Sequence, residues 1–390
     1  MNGQLKQTST EIYDILNKLY LWAKDEDFSG FDPYDGLNIP LIRDIPTLRN
    51  KWVMIFITQF FKNFPVNLRP LFGIRKEKNA KGISLFASGL INLYRINKDT
   101  LIMEEIEKLV EWLKKKRSPY SKNYAWGYNF SWRSRNSYKP RYFPNVVTTS
   151  FVADVFLQLY KITGRSELLD IAISAGTFIL EELNRYKDKR GICFSYSPRD
   201  NERVYNATLL ASRLLLNLWK VTGNDDFLEY GLFSVNFVIN SQNKDGSWYY
   251  GDNINQKWID NFHTGYNLWM LNGIRNITEI PNIDVVVEKG MDFYINNLFD
   301  KDLIPYYYNN RKYPIDIHAV AVSIIVFTNF GKFAYAKKIL KNALQIFYSG
   351  KGFFYFRKTK FITNKIPYMR WSNAWMFYAL TEVVKNESMD

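Results

Sequence analysis

The sequence predicts an all-α fold, an α/α toroid in which about six helical hairpins close into one ring over residues 1–390. From about residue 83 onward, the chain repeats in units of roughly 50 to 60 residues, each with a helix, a turn and a second helix. The segment that begins at Leu159 aligns without gaps with the one that begins at Leu218, and both carry a Thr-Gly turn after the first helix. Repeated helical hairpins without a β pattern either extend as a solenoid or close on themselves.

Closure is favoured by the composition of the helix faces. A helix that is apolar on nearly all faces is typical of an inner ring, whereas the second helix of each hairpin has one polar face and belongs outside. Residues 1–80 are expected to complete the ring with N-terminal helices and a long loop, and residues 81–390 to supply the hairpins. The expected inner helices begin near Thr148, Asn206, Thr264 and Ile317.

The net charge of +14 concerns binding partners rather than the fold. It would attract an anionic glycan, a nucleic acid or a membrane surface. Nucleic acid is disfavoured because the basic residues are dispersed and no recognition motif is present. No apolar stretch reaches the roughly 20 residues of a membrane-spanning helix. The single cysteine, Cys193, and the polar first residues without a secretion signal predict a cytoplasmic location.

Aromatic residues make up 17% of the chain, and many lie in loops that precede the expected inner helices. In a closed ring these loops collect at one mouth. Saccharides stack on aromatic rings, and an arginine fork holds a carboxylate, so loops that combine both residue types predict an anionic saccharide site. The alternative is that the aromatic side chains plug the ring. The residues expected to bind substrate are Trp126, Tyr128, Trp132, Arg133, Arg135, Tyr196, Arg199, Trp248, Tyr250, Asp252, Trp258, Asp316 and Asp35.

The two histidines, His263 and His318, each fall in the first turn of an expected inner helix, and the acids Asp260 and Asp316 precede them. The positive end of a helix dipole disfavours imidazolium, so a neutral imidazole is available there as a base or a hydrogen-bond donor. Equivalent positions in neighbouring repeats favour an active site over a structural role for both residues. No tight metal-ligand spacing is present, so neither a metal nor a cofactor is expected, and the oligomeric state stays open.

Several motifs resemble known toroids. Gln242–Trp248 resembles the Q-x-x-x-G-x-W repeat of terpenoid cyclases and prenyltransferases, which implies the toroid architecture and a brace between helices. The cyclase acids and the prenyltransferase zinc ligands are missing, so the activity is not implied. Six-hairpin glycosidases, sugar 2-epimerases and polysaccharide lyases share this shape, and Phe262-His263-Thr264 is similar to the Y-H-T of glucuronyl C5-epimerases. A larger set resembles a poorly characterised microbial family associated with polysaccharide metabolism: residues 32–37, 67–74, 126–135 and 258–268.

The leading hypothesis is a lyase or C5-epimerase that acts on a uronate-containing oligo- or polysaccharide. Removal of the C5 proton requires a neutralised carboxylate and an acid–base pair at the sugar ring. Arg133 or Arg135 is expected to neutralise the carboxylate. The groups expected to take part in catalysis are His263, Tyr266, Asp260, His318 and Tyr308.

Two other hypotheses remain open at the level of the sequence. A glycoside hydrolase needs two carboxyl groups that flank one glycosidic bond, and the candidates are Asp35, Asp252, Asp260 and Asp316. The third possibility is a non-catalytic glycan-binding or scaffold protein of polysaccharide biosynthesis.

Overall fold

A computed structural model of the chain describes residues 2–44, 50–133 and 138–388. Helices dominate these residues. They are α1 (Asn2–Asp25), α2 (Pro40–Asp44), α3 (Lys51–Asn63), α4 (Ala80–Asn97), α5 (Thr100–Lys115), α6 (Val146–Thr163), α7 (Ser166–Glu182), α8 (Tyr205–Thr222), α9 (Asp225–Ile239), α10 (Asn261–Arg275), α11 (Ile283–Asn297), α12 (Ile317–Asn329), α13 (Phe333–Phe347) and α14 (Trp375–Glu387).

The even-numbered helices from α4 to α14 form the inner ring. Each contacts the next, and α14 contacts α4, so the ring is closed. Their side chains are mostly buried, whereas α5, α7, α9, α11 and α13 form the outer ring and keep a wetted face. The prediction of an all-α toroid is confirmed, and the helices expected inside are the ones found there.

The two ends of the described chain meet in the ring. Helix α1 packs on α14 and takes the outer position beside it. Its contact face carries Ile12, Leu16 and Leu19, which are buried at the helical spacing that the sequence shows. The N-terminal helix therefore completes the outer ring next to the last inner helix.

Short strands and helical turns lie in the connections between the hairpins. The strands are β1 (Trp132–Arg133), β2 (Tyr138–Lys139), β3 (Arg185–Asp188), β4 (Gly191–Phe194), β5 (Ile315–Asp316), β6 (Arg357–Lys358) and β7 (Thr363–Asn364), all in antiparallel pairs. They are too short for an alternating pattern to be visible in the sequence. A π-helix (Met369–Ala374) leads directly into α14.

The motif at 242–248 is a brace between outer helices. The indole of Trp248 is buried, and its Nε1 donates to the carbonyl of Val238 at 3.0 Å. The Gln242 amide donates to the carbonyls of Gly246 and Val286, which ties the end of α9 to α11. Gly246 has φ +88, and a Cβ there would stand 2.3 Å from the carbonyl oxygen of Lys289. The motif therefore serves the fold.

Trp126 has the same structural role in an earlier repeat, where it packs between α5 and α6. It is fully buried, its Nε1 donates to the carbonyl of Leu113 at 2.8 Å, and its ring stacks on Phe156. Trp126 and Trp248 both lie outside the cavity described below, so we remove them from the proposed substrate-binding set. Indole rings of this size fill the space between hairpins, and that need explains their presence in the loops.

We predict that Trp248→Ala lowers the free energy of unfolding by roughly 3–5 kcal/mol, because it removes a buried indole and its hydrogen bond. Trp52→Ala is the matched control, since Trp52 is 65% exposed and its loss should change stability by no more than about 0.5 kcal/mol. Urea denaturation followed by circular dichroism measures both. Equal losses in the two variants would contradict the brace.

Candidate functional site

A cavity of about 410 Å³ lies at the N-terminal ends of the inner helices. The second residue of each of these helical segments lines it, with the π-helix standing in for the start of α14. These residues are Lys81, Val147, Asn206, Phe262, His318 and Arg370. The aromatic loops that precede the helices form its walls. The ring interior beneath is filled by rings of Phe151, Trp269 and Trp375, so the cavity is a cup open at one end.

Stacked aromatic pairs form the upper walls. Tyr250 and Trp258 lie 4.5 Å apart at an interplanar angle of 13°, and Tyr34 and Trp132 lie 5.3 Å apart at 14°. Both tryptophans remain partly exposed at the mouth. Flat apolar faces with polar tips suit the alternating apolar and hydroxyl surfaces of a sugar ring.

Further along the wall, Tyr128 lies parallel to Phe130, and its hydroxyl is 3.1 Å from that of Tyr196. Tyr308 also lines the cavity, together with its neighbour Tyr307. The aromatic loops therefore do form a lined cup, and the rings that plug the interior come from the helices instead.

Asp260 holds His263 in a fixed orientation. Asp260 is the N-cap of α10, and its Oδ1 accepts from the backbone N–H of His263 at 2.9 Å. Its Oδ2 is 2.6 Å from His263 Nδ1 and also accepts from Trp258 Nε1 at 3.0 Å. Because Nδ1 is engaged, Nε2 is the ring nitrogen left for a ligand. A carboxylate in this position fixes the tautomer and makes the imidazole a stronger base.

A second polar chain crosses the floor of the cavity. Tyr266 Oη is 3.2 Å from His318 Nε2 and accepts a hydrogen bond from Lys81 Nζ at 3.2 Å. Burial, followed by the charges of Lys81 and Arg370, holds the pKa of His318 well below its usual range. Burial likewise raises the pKa of Tyr266 and lowers that of Lys81. Burial therefore favours the uncharged form of each group, and two hydrogen bonds connect the three side chains across the floor.

The ring of Phe262 contacts both histidines. Its centroid is 4.1 Å from that of His263 and 5.0 Å from that of His318. The two imidazoles are thus no farther apart than the sum of these distances, and both line the same cavity. One sugar ring can contact both.

Arg370 contributes a fixed positive charge to the floor. Its Nε and Nη2 donate to the two oxygens of Asp32 at 2.6 and 2.8 Å, which leaves Nη1 outside the pair. Its guanidinium lies over the rings of Tyr128 and Trp371. Lys62 adds another positive group nearer the rim, with Nζ 4.9 Å from the centroid of Tyr34.

Three of the acids expected at the mouth lie elsewhere. Asp35 is buried against Arg69 at 2.6 Å, and burial raises its pKa to about 6 in spite of that arginine. Asp252 forms ion pairs with Arg190 at 2.9 Å and Arg203 at 3.2 Å.

Asp316 is the N-cap of α12 and binds Arg357 Nη2 and Trp371 Nε1, both at 2.9 Å. None of these three carboxylates lines the cavity, because each is used to join a loop to the ring. Among the described residues, the carboxyl groups that do line it belong to Asp260 and Glu202.

Two of the arginines expected to bind substrate, Arg133 and Arg199, lie outside the cavity. Arg133 lies in β1 beside Trp132 but is not among the described residues that line the cavity. Arg199 packs with its guanidinium 4.5 Å from the centroid of Phe143, outside the cavity. Arg135 lies outside the described residues. Among the described residues, the basic side chains that line the cavity are Lys62, Lys81 and Arg370.

The sequence contained a signal for Lys81 and Arg370 that the repeat analysis passed over. His318 and Phe262 occupy the second position of an inner helix, and Lys81 occupies that position in α4. Extending the repeat register to the first inner helix, α4, would have selected Lys81. Arg370 was harder to find because its π-helix has no helical pattern of period 3.6.

The fold is similar to those of solved carbohydrate enzymes. A sugar epimerase from a ruminal bacterium superposes with a TM-score of 0.64 over 82% of this chain and 91% of its own, at 13% sequence identity. An unsaturated glucuronyl hydrolase from Streptococcus agalactiae superposes with a TM-score of 0.61 over 97% of this chain and 92% of its own, also at 13% identity. A D-mannose isomerase gives 0.59 over 79% and 87%, at 12% identity. At these identities the likeness shows the six-hairpin toroid fold.

No protein-family model and no curated protein matches the sequence. Within the described part of the chain, no helix is long and apolar enough to cross a membrane. The same residues bring together no cluster of three or more His, Cys, Asp or Glu side chains suited to a metal ion.

We predict that the buried amine of Lys81 makes stability depend on pH. Its pKa is lower in the folded state than in the unfolded state, so between the two values the unfolded chain binds more protons. The free energy of unfolding therefore increases as pH rises, by up to about 1.4 kcal/mol per pH unit, and levels off at the ordinary lysine pKa.

The Lys81→Met variant should lose this increase, and it should be more stable than the parent at neutral pH. Denaturant titrations of both proteins at several pH values measure the difference. Parallel pH profiles would contradict an uncharged Lys81. Lys115→Met, a change in an exposed lysine, is the control that should follow the parent.

Proposed function

We propose that the protein is a saccharide epimerase or lyase that transfers a proton at a carbon atom of a uronate-containing sugar bound in this cavity. The observation that carries the proposal is the pair of proton-transfer groups in one cup. His263, oriented by Asp260, and His318, linked to Tyr266, both contact the ring of Phe262 and line the same cavity. The names of the similar structures, which include sugar epimerases and enzymes of unsaturated glucuronyl units, support the substrate class.

The chemistry follows from the placement of the two groups. His263, oriented by Asp260, removes a proton from the carbon next to the carboxylate or carbonyl, and the electron pair is delocalised into that group. Return of a proton to the opposite face from the His318–Tyr266 chain inverts the carbon. Loss of a substituent from the neighbouring carbon instead completes an elimination. Acid–base pairs of this kind typically contribute about 10²–10⁴-fold in rate.

We expect the reaction to exchange carbon-bound hydrogen with solvent. Incubation in D₂O with oligosaccharides that contain glucuronate, and with cellobiose and D-mannose, should place deuterium on a sugar carbon, detected by mass spectrometry and proton NMR. His263→Ala, Asp260→Asn and Tyr266→Phe should each reduce the incorporation by about 10²-fold or more. Asp252→Asn is the matched control, because its carboxylate lies outside the cavity, and it should leave the rate unchanged.

Hydrolysis is the second candidate, and a specific observation favours it. Burial raises the pKa of Glu202, which suits a general acid, and Tyr250 experiences the charges of both Glu202 and Asp260. These are the carboxyl groups that a glycosidase would need on either side of one bond. Of the four acids that the sequence offered, Asp260 lines the cavity, whereas Asp316 is bound to Arg357 outside it.

The two reactions are separated by Glu202→Gln. A hydrolase should lose release of reducing ends by about 10²-fold or more in this variant and should place no deuterium on carbon. The epimerase or lyase should retain deuterium incorporation when Glu202 is changed. Reducing-end release without carbon-bound deuterium would overturn the proposal, and binding without any turnover of the panel would indicate a glycan-binding protein.

A further inference from the structure

We propose that a sugar carboxylate binds at the floor of the cavity between Lys81 and Arg370, and that Lys81 takes up a proton when it binds. This inference rests on the proposed function for the saccharide and adds the position of its charge. Neither residue was expected from the sequence, and of the expected arginines Arg133 and Arg199 lie outside the cavity.

Lys81 is a buried lysine without an acid partner. It is 4% exposed, and of the described residues none forms a salt bridge with it. Its Nζ donates to Tyr266 Oη and lies about 5 Å from the ring centroids of Phe151 and Trp375. A buried amine without a counter-charge is not needed for stability, since an apolar side chain at this position would leave the fold at least as stable.

Among the described residues, no unpaired acid faces Lys81. From α10 comes Tyr266, from α12 comes His318, and from the π-helix comes Arg370, with Asp32 behind it. Asp32 compensates Arg370 through two hydrogen bonds, and nothing described compensates Lys81 or His318. His263 faces His318 from α10, but Asp260 already holds its Nδ1. An anion at this point meets no competing carboxylate and finds donors on two sides, Lys81 and Arg370.

The backbone adds to the same field. The inner helices all present their N-terminal ends to the cavity, so the positive ends of their dipoles converge on it. Several of these ends are already capped by side chains, among them Asn79, Asn145, Asp260 and Asp316. The dipoles alone would therefore not make a site, but they act in the same direction as Lys81 and Arg370.

The protonation change follows from the balance at Lys81. Burial and the charge of Arg370 favour the neutral amine in the empty cavity. A carboxylate within contact distance favours the ammonium form and replaces the missing counter-charge. Binding of the anion is then accompanied by uptake of a proton from solvent. A neutral sugar brings no such charge and leaves Lys81 as it was.

Isothermal titration calorimetry with D-glucuronate tests the proposal. The titration is run in two buffers of different ionisation enthalpy at the same neutral pH, and the difference in heat gives the number of protons taken up. About one proton should be taken up per bound glucuronate, and none with D-glucose. D-glucose 6-phosphate is the third ligand, because a phosphate would satisfy the same cations.

The variants are Lys81→Met and the exposed control Lys115→Met. Lys81→Met should bind glucuronate at least about tenfold more weakly and without proton uptake, while Lys115→Met should behave as the parent. Thermal melting verifies that both are folded. Three results would overturn the proposal. The parent could bind glucuronate without proton uptake, or proton uptake could persist in Lys81→Met. The third is proton uptake with D-glucose 6-phosphate in a protein that does not bind glucuronate. These results do not depend on turnover, so they are separate from the D₂O experiment.

Discussion

The convergence of the inner helices at their N-terminal ends is the constraint on which the rest of the structure depends. Closing a ring of hairpins places every first helix in the same direction, and therefore places the same helical position of each repeat on one floor. The second residue of each inner helical segment lies on this floor, whichever amino acid occupies the position. Chemistry can then be changed at one repeat without altering the packing of the others, because the ring is held by the buried faces below.

The loops above the floor are held by buried ion pairs. Asp35 with Arg69, Asp32 with Arg370, and Asp316 with Arg357 each join residues far apart in the chain. Breaking a buried pair of this kind typically costs about 3–5 kcal/mol, since one charge is left without a partner. These pairs keep irregular segments in place around a cavity that must be both polar and rigid. They also explain why acids in aromatic loops were poor indicators of catalysis.

The polar side chains inside the cup form two separate hydrogen-bonded groups. Both carboxylate oxygens of Asp260 are hydrogen-bonded to His263 or Trp258, so this residue orients the imidazole of His263. The floor groups Lys81, Tyr266 and His318 share hydrogen bonds, and burial favours their uncharged forms. The toroid supports many reactions, and the site rather than the fold decides among them. The arrangement of these two groups is the basis of the proton transfer that we propose.

The sequence by itself determined the architecture and part of the site. The pattern of apolar residues along a helix shows whether the helix is buried on all faces or exposed to solvent on one. This pattern is local in the sequence, so the inner and outer rings could be predicted. The repeat register also placed His263 and His318 side by side, as the structure shows. Only the tertiary structure decided which loop charges face the cavity. Asp252 pairs with Arg190, Asp316 pairs with Arg357, and Lys81 contacts Tyr266 across the ring. These partners are distant in the sequence, so only the packing of the closed ring determines them.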